Sequence, residues 1–251
     1  MITTYKETGE KIPLMAHLVL GYPTLQESLK TAEAYVAAGV QILELQIPFS
    51  HPTADGPVIT AACREAALQQ HVTVADCLSA IRHLRERHPE QEMIVMSYLN
   101  RVFAYGAERF VAALETLNIR HLIVPDLPVD SALAHRIRAA ATGLQLVPVL
   151  AANASDERLE KLLSGNFDFF YLMADFKITG SDFSLHPRLR TIITRIRAAR
   201  PAARVGIGFG ISTPEQALLA AREADLAIVG SALIRARDEG RLAEVLEGFC
   251  N

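Results

Sequence analysis

Glu44 and Asp55, eleven residues apart, are the side chains of this sequence best suited to proton transfer. Glu44 lies in the apolar run Ile42-Leu43-Glu44-Leu45-Gln46-Ile47. A strand's period of two puts Leu43, Leu45 and Ile47 on one face and Ile42, Glu44 and Gln46 on the other. A carboxyl in apolar surroundings loses hydration, which favours its neutral, proton-donating form near neutrality. A structural bridge to an internal Arg or Lys is the alternative reading. Asp55 sits in Thr53-Ala54-Asp55-Gly56-Pro57, whose Gly and Pro can bend a loop back toward Glu44. An ordinary turn aspartate has the same neighbours.

A second cluster is suited to anions. Gly206-Ile207-Gly208-Phe209-Gly210 ends an apolar run and precedes Ser212-Thr213-Pro214-Glu215, which reads as an S-x-x-E capping box. Further on, Gly230-Ser231-Ala232 opens a short helical segment. Uncovered amides and a helix N-terminus after two successive strands suit a phosphate, whereas tight turns with ordinary caps would explain either loop alone. The histidines form no H-x-H or H-E-x-x-H cluster, so neither a metal nor a cofactor is expected, and most are assigned to the surface. His17 is the exception, sharing a strand face with Met15 and Val19. It reads as a core histidine unless that face lines a barrel interior. No nucleophile elbow, P-loop or Schiff-base signature is present.

These residues need a scaffold, and the alternation of short apolar runs with amphipathic ones supplies it. Strands are expected at 14–20, 41–47, 93–98, 121–124, 144–150, 167–173, 204–208 and 226–230. Helices are expected at 24–40, 72–87, 107–117, 130–141, 156–163, 188–200 and 214–223. Eight strands alternating with helices imply parallel pairing, and 251 residues suit one closed (β/α)8 TIM barrel spanning 1–251. The rival is an open doubly wound sheet, disfavoured because no G-x-G-x-x-G follows the first strand. Glu44 and Gln46 then face the barrel axis. The long connections Pro48 to His71 and Ala174 to Pro187 fall at the C-terminal face, where barrel function sits.

Half the residues are hydrophobic and 21% are charged, with a net charge of −3. That balance offers no field for a nucleic-acid backbone or an anionic membrane. No apolar stretch approaches the roughly twenty residues needed to span a bilayer. Cys63, Cys77 and Cys250 have no metal or redox spacing, and the first twelve residues lack a secretory core, so a cytoplasmic location is expected.

The run from Leu43 to Pro57, LELQIPFSHPTADGP, resembles the LELGVPFSDPxADGP signature of the tryptophan synthase alpha subunit family. Gly21-Tyr22-Pro23, Met96 to Asn100, Ile123 to Pro128, Thr179-Gly180, Gly208 to Ser212 and Gly230 to Ala232 are similar to further family motifs in the same order. The resemblance covers nearly the whole chain. It implies a barrel lyase that cleaves indole-3-glycerol phosphate by a retro-aldol reaction to indole and glyceraldehyde 3-phosphate. Glu44 would protonate indole C3 and, ionised, take the glycerol hydroxyl proton, while Asp55 would take up or stabilise the indole N–H proton. The same resemblance implies phosphate binding at Gly180, Gly210, Gly230 and Ser231. It places Tyr171 and Phe209 near the substrate and makes Thr179 the loop threonine that helps close the site over Asp55.

The sequence departs from the family pattern at several points. Gln46 replaces a Gly, and His17 replaces an aromatic residue lining the indole pocket. His51 replaces an Asp in the loop that meets the beta subunit, 175–177 replaces a small, flexible run, and Arg101 stands where Pro is usual. The carboxylate pair and phosphate site are retained. Altered indole recognition and weak or absent activation by a beta subunit are expected, through His51 and Lys177. Two further readings remain: a barrel aldolase or isomerase for another phosphorylated substrate, favoured by Gln46 and His17, and a non-catalytic partner protein.

Overall fold

The computed structural model describes residues 12–174, 176–179 and 182–250, and side chains throughout except within 176–184. The axial sheet is built from β1 (Leu14–Val19), β2 (Ile42–Gln46), β3 (Glu92–Met96), β4 (His121–Ile123), β5 (Gln145–Leu146), β6 (Val149–Ala151), β7 (Phe169–Met173), β10 (Arg204–Gly208) and β11 (Leu226–Val229). A separate antiparallel hairpin joins β8 (Phe176–Thr179) to β9 (Asp182–Leu185).

All pairings in the axial sheet are parallel, in the order β5-β4-β3-β2-β1-β11-β10-β7-β6. Its two ends, β5 and β6, are halves of one strand. Pro148 has no N–H to give to the ladder and splits that strand. The Val147 N–H still reaches the Leu122 carbonyl at 2.9 Å, and the Pro148 carbonyl accepts from the Tyr171 N–H at 3.0 Å. The sheet therefore closes on itself as an eight-stranded (β/α)8 barrel.

The expected alternation holds. Leu43, Leu45 and Ile47 join the core between sheet and helices. Ile42 joins Met15, Ile94, Ile123, Phe169 and Ile228 inside the barrel, so the strand face carrying His17 does point inward. The expected helices appear with ends that differ by at most a few residues, as fraying ends and caps produce.

Four differences have physical causes. The connection 48–71 contains a helix at Pro57–Arg64, continued by a π-helical turn at Glu65–Gln69. Pro57 at its first turn and the Ala-rich stretch after it are readable helix signals. The connection 174–187 contains the β8–β9 hairpin, whose Gly180-Ser181 is a two-residue hairpin signature. The helix at Pro214–Glu223 is capped one residue later than expected: Thr213 accepts from the Gln216 N–H, and the Gln216 side chain answers, leaving Glu215 out of the box. His121 is buried, 2.8 Å from Asp168, so it is not a surface histidine.

Helices are also found at Leu99–Tyr105, Ser231–Asp238 and Leu242–Cys250. Cys63, Cys77 and Cys250 are all buried. Among the described residues, no helix is long and apolar enough to cross a membrane.

Candidate active site

A cavity of about 180 Å³ opens at the C-terminal ends of the barrel strands. Glu44 from β2 and Asp55 from the following segment both line it, with His17 from β1. The β1–β2 register sets His17 directly opposite Glu44, and both belong to the inward set. Their side chains meet, with His17 Nδ1 3.3 Å from Glu44 Oε2. The expected alternative partner, an internal Arg or Lys, is replaced by this histidine. Burial works against the imidazolium, but the carboxylates of Glu44 and Asp55 outweigh it and hold the His17 pKa above its ordinary value.

Asp55 is not a plain turn residue. Its Oδ2 accepts from Gln46 Nε2 at 2.7 Å and from the Tyr98 hydroxyl at 2.9 Å. Tyr98 also accepts from the Ala54 N–H at 3.0 Å, so one phenol fixes both backbone and side chain of this segment. Desolvation raises the Asp55 pKa against the pull of His17 and its two donors. Tyr98 comes from the end of the third barrel strand and is fully buried, stacked near Phe49 with ring centroids 5.4 Å apart. The quoted motif Met96 to Asn100 contains it, yet nothing local in the sequence links it to Asp55. Gln46, expected in the substrate pocket, is fully buried and does not line the cavity; it bonds Asp55, which does.

Part of the cavity lining is backbone-rich. Gly210, Gly230 and Ser231 line the cavity, as do Tyr171 and Phe209. Phe209 and Gly210 have φ of 69° and 76°, a left-handed pair in which a non-glycine residue is strained. The helix Ser231–Asp238 begins at Gly230 with no side-chain cap, and Gly230 and Ser231 at its N-terminus line the cavity. Tyr171 is buried against glycine: a Cβ at Gly208 would lie 2.4 Å from its hydroxyl oxygen. Thr179 ends β8 at the hairpin tip, paired in register with Asp182. Gly180 lies outside the described residues, as does Asp175. His51 is exposed, with Nδ1 2.9 Å from Ser50 Oγ. No group of three or more His, Cys, Asp or Glu among the described residues could hold a metal ion.

A closed barrel whose axial cavity is lined by two carboxylates together with glycine turns and a helix N-terminus is the layout of an acid–base barrel enzyme. The chain belongs to the tryptophan synthase alpha chain family, whose model matches residues 4–246. That family consists of lyases that cleave indole-3-glycerol phosphate to indole and glyceraldehyde 3-phosphate, and its members normally pair with a beta subunit. The chain is 38% identical to the tryptophan synthase alpha chain of Chloroflexus aggregans over 224 residues, covering 89% of this chain and 83% of that one. It is 36% identical to that of Desulfotalea psychrophila over 236 residues, covering 93% and 91%. A solved tryptophan synthase structure from M. tuberculosis superposes with a TM-score of 0.83 at 29% identity, covering 96% of this chain and 92% of that one.

Proposed function

We propose that this chain, acting as one barrel domain in the cytoplasm, performs the family reaction with Glu44 and Asp55 as its catalytic carboxylates. The observation that carries this reading is their convergence on one cavity that Gly210, Gly230 and Ser231 also line. A proton from Glu44 to indole C3 converts the ring into a cationic electron sink. Glu44, now ionised, takes the proton of the adjacent glycerol hydroxyl. The oxygen lone pair forms the aldehyde carbonyl, the carbon–carbon bond breaks, and its electrons return to the ring as neutral indole. Asp55, anchored by Gln46 and Tyr98, stabilises the N–H, whose acidity rises when the ring is cationic.

The phosphate is held at the other end by the amides at Gly210, Gly230 and Ser231, joined by Gly180, where the helix N-terminus favours an anion. Tyr171 and Phe209 flank the ring, and Thr179 helps close the hairpin over Asp55. The beta-subunit contact is weakened in this reading, because His51 removes an acidic acceptor from the rim and Lys177 replaces a flexible residue.

The test is incubation of the purified protein and its Glu44→Gln variant with indole-3-glycerol phosphate, with and without a beta subunit, following indole. Glu44→Gln is expected to lose about 10² to 10⁴ in rate. An undiminished rate in a folded variant refutes the assignment, and tight, strongly activating association with the beta subunit refutes the weakened contact.

A further inference from the structure

The barrel interior holds three buried side-chain atoms without a hydrogen-bond partner that lie together around the carboxylate pair: His17 Nε2, Glu44 Oε2 and Gln46 Oε1. They belong to side chains already linked in space. Glu44 Oε2 faces His17 Nδ1 at 3.3 Å, the Gln46 side chain lies beside the imidazole, and Gln46 Nε2 donates to Asp55. Unpaired polar atoms at this depth are costly unless they find one another or a ligand. The Gln46 amide nitrogen donates to Asp55, and its carbonyl oxygen, which can only accept, still lacks a donor. The group beside it able to donate is His17, and an imidazole donates from both nitrogens only when protonated.

We propose that His17 and Gln46 form a polar bridge between the two carboxylates, with the imidazolium donating through Nδ1 to Glu44 and through Nε2 to Gln46, whose amide donates in turn to Asp55. This rests on the functional reading above and deepens it by explaining how one carboxyl serves as both acid and base. Glu44 and His17 hold one proton between them. Shifting it from Nδ1 to Oε2 makes Glu44 the acid; once it has passed to the ring carbon, the pair holds no proton and the ionised Glu44 is the base. The proton given to the ring carbon is matched by the one taken from the glycerol hydroxyl, so the pair ends each turnover as it began. His17 acts through Glu44 and is a positioning residue.

The titratable groups acting on His17 are Glu44 on β2 and Asp55 on the segment after it, and Tyr171 on β7 lines the same cavity. On the β11 side its neighbour is Gly230, which carries no charge. The two carboxylates favour the cation, and no Lys or Arg lines the cavity among the described residues.

Nitrogen-15 NMR of the ligand-free protein, labelled at histidine, tests the bridge without any substrate. Both ring nitrogens of His17 are expected to be protonated at pH 7. Glu44→Gln is expected to lower its titration midpoint by about one pH unit or more, the scale of an opposite charge at this range. Gln46→Gly, restoring the family residue, is expected to lower it by less. A neutral single tautomer at pH 7, or a midpoint that neither substitution moves, overturns the bridge whatever the substrate proves to be. In kinetics, His17→Phe is expected to lower kcat on the order of 10²-fold with little change in KM, and to move the alkaline limb of the pH profile. Unchanged kcat and pH profile in that variant overturn it as well. Loss of all activity in the wild type with normal His17 titration would instead refute the functional reading alone.

Discussion

Replacing Tyr98 by Phe removes a single oxygen and leaves the ring packed beside Phe49. That oxygen makes two bonds, donating to Asp55 Oδ2 at 2.9 Å and accepting from the Ala54 N–H at 3.0 Å. The first is charge-assisted when Asp55 is ionised, with a net value of roughly 1.5–3 kcal/mol. The second leaves a partly buried backbone donor unpaired, at roughly 1–3 kcal/mol, reduced here because Ala54 is only half-buried. Together they predict a loss of about 2–4 kcal/mol at pH 7, a large share of a typical total of 5–15. The loss is expected to depend on pH, and the sign follows from Asp55. Its folded pKa is already raised by burial, and the Tyr98 hydroxyl is one of the groups opposing that rise. Tyr98→Phe raises it further. A raised carboxyl pKa contributes stability below the unfolded value of 3.8 that is lost as pH rises through the folded value. The destabilisation is therefore greatest at neutral pH and shrinks toward pH 4, where the unpaired Ala54 amide alone remains. Urea unfolding at pH 7 and pH 4 measures both terms, and kcat/KM at pH 7 reports the displaced Asp55. A stability loss under about 0.5 kcal/mol, or one equal at the two pH values, would refute the claim that Tyr98 holds the ionised Asp55 in place.

Gly210→Asp adds bulk at a left-handed backbone position and like charge where the phosphate is expected. Glyceraldehyde 3-phosphate is expected to bind at least about tenfold more weakly by calorimetry, and unchanged affinity would displace the phosphate from this wall. Gly208→Ala drives a methyl to within 2.4 Å of the Tyr171 hydroxyl oxygen and 3.0 Å of Ile228 Cβ. The Tyr171 ring must move toward the cavity, with a stability cost of about 1–3 kcal/mol and a rise in KM; thermal unfolding and steady-state kinetics indistinguishable from wild type would show that the ring has free space.

The strand periods were readable because each is written into consecutive residues. The alternation Ile42-Glu44-Gln46 against Leu43-Leu45-Ile47 orients a whole strand, and once a barrel surrounds it the inward face can only be the axis. The paired glycine turns after the last two barrel strands were legible for the same local reason, since a left-handed backbone selects glycine at Gly210. The helix at Pro57–Arg64 and the hairpin of Phe176–Thr179 with Asp182–Leu185 also lie where the sequence carries local signals. They were obscured by their position in connections, where length suggests loop. The partnerships inside the cavity had no such local trace. His17 meets Glu44 only because β1 and β2 pair in parallel at one register, across 27 positions of chain, and a shift of one residue would turn the pair to opposite faces. Tyr98 reaches Asp55 from 43 positions away, across the β2–β3 neighbourhood. Sequence determined which side chains face the axis, because orientation is a property of one strand. Only the closed barrel decided which of them touch, because contact depends on register between strands brought together by pairing.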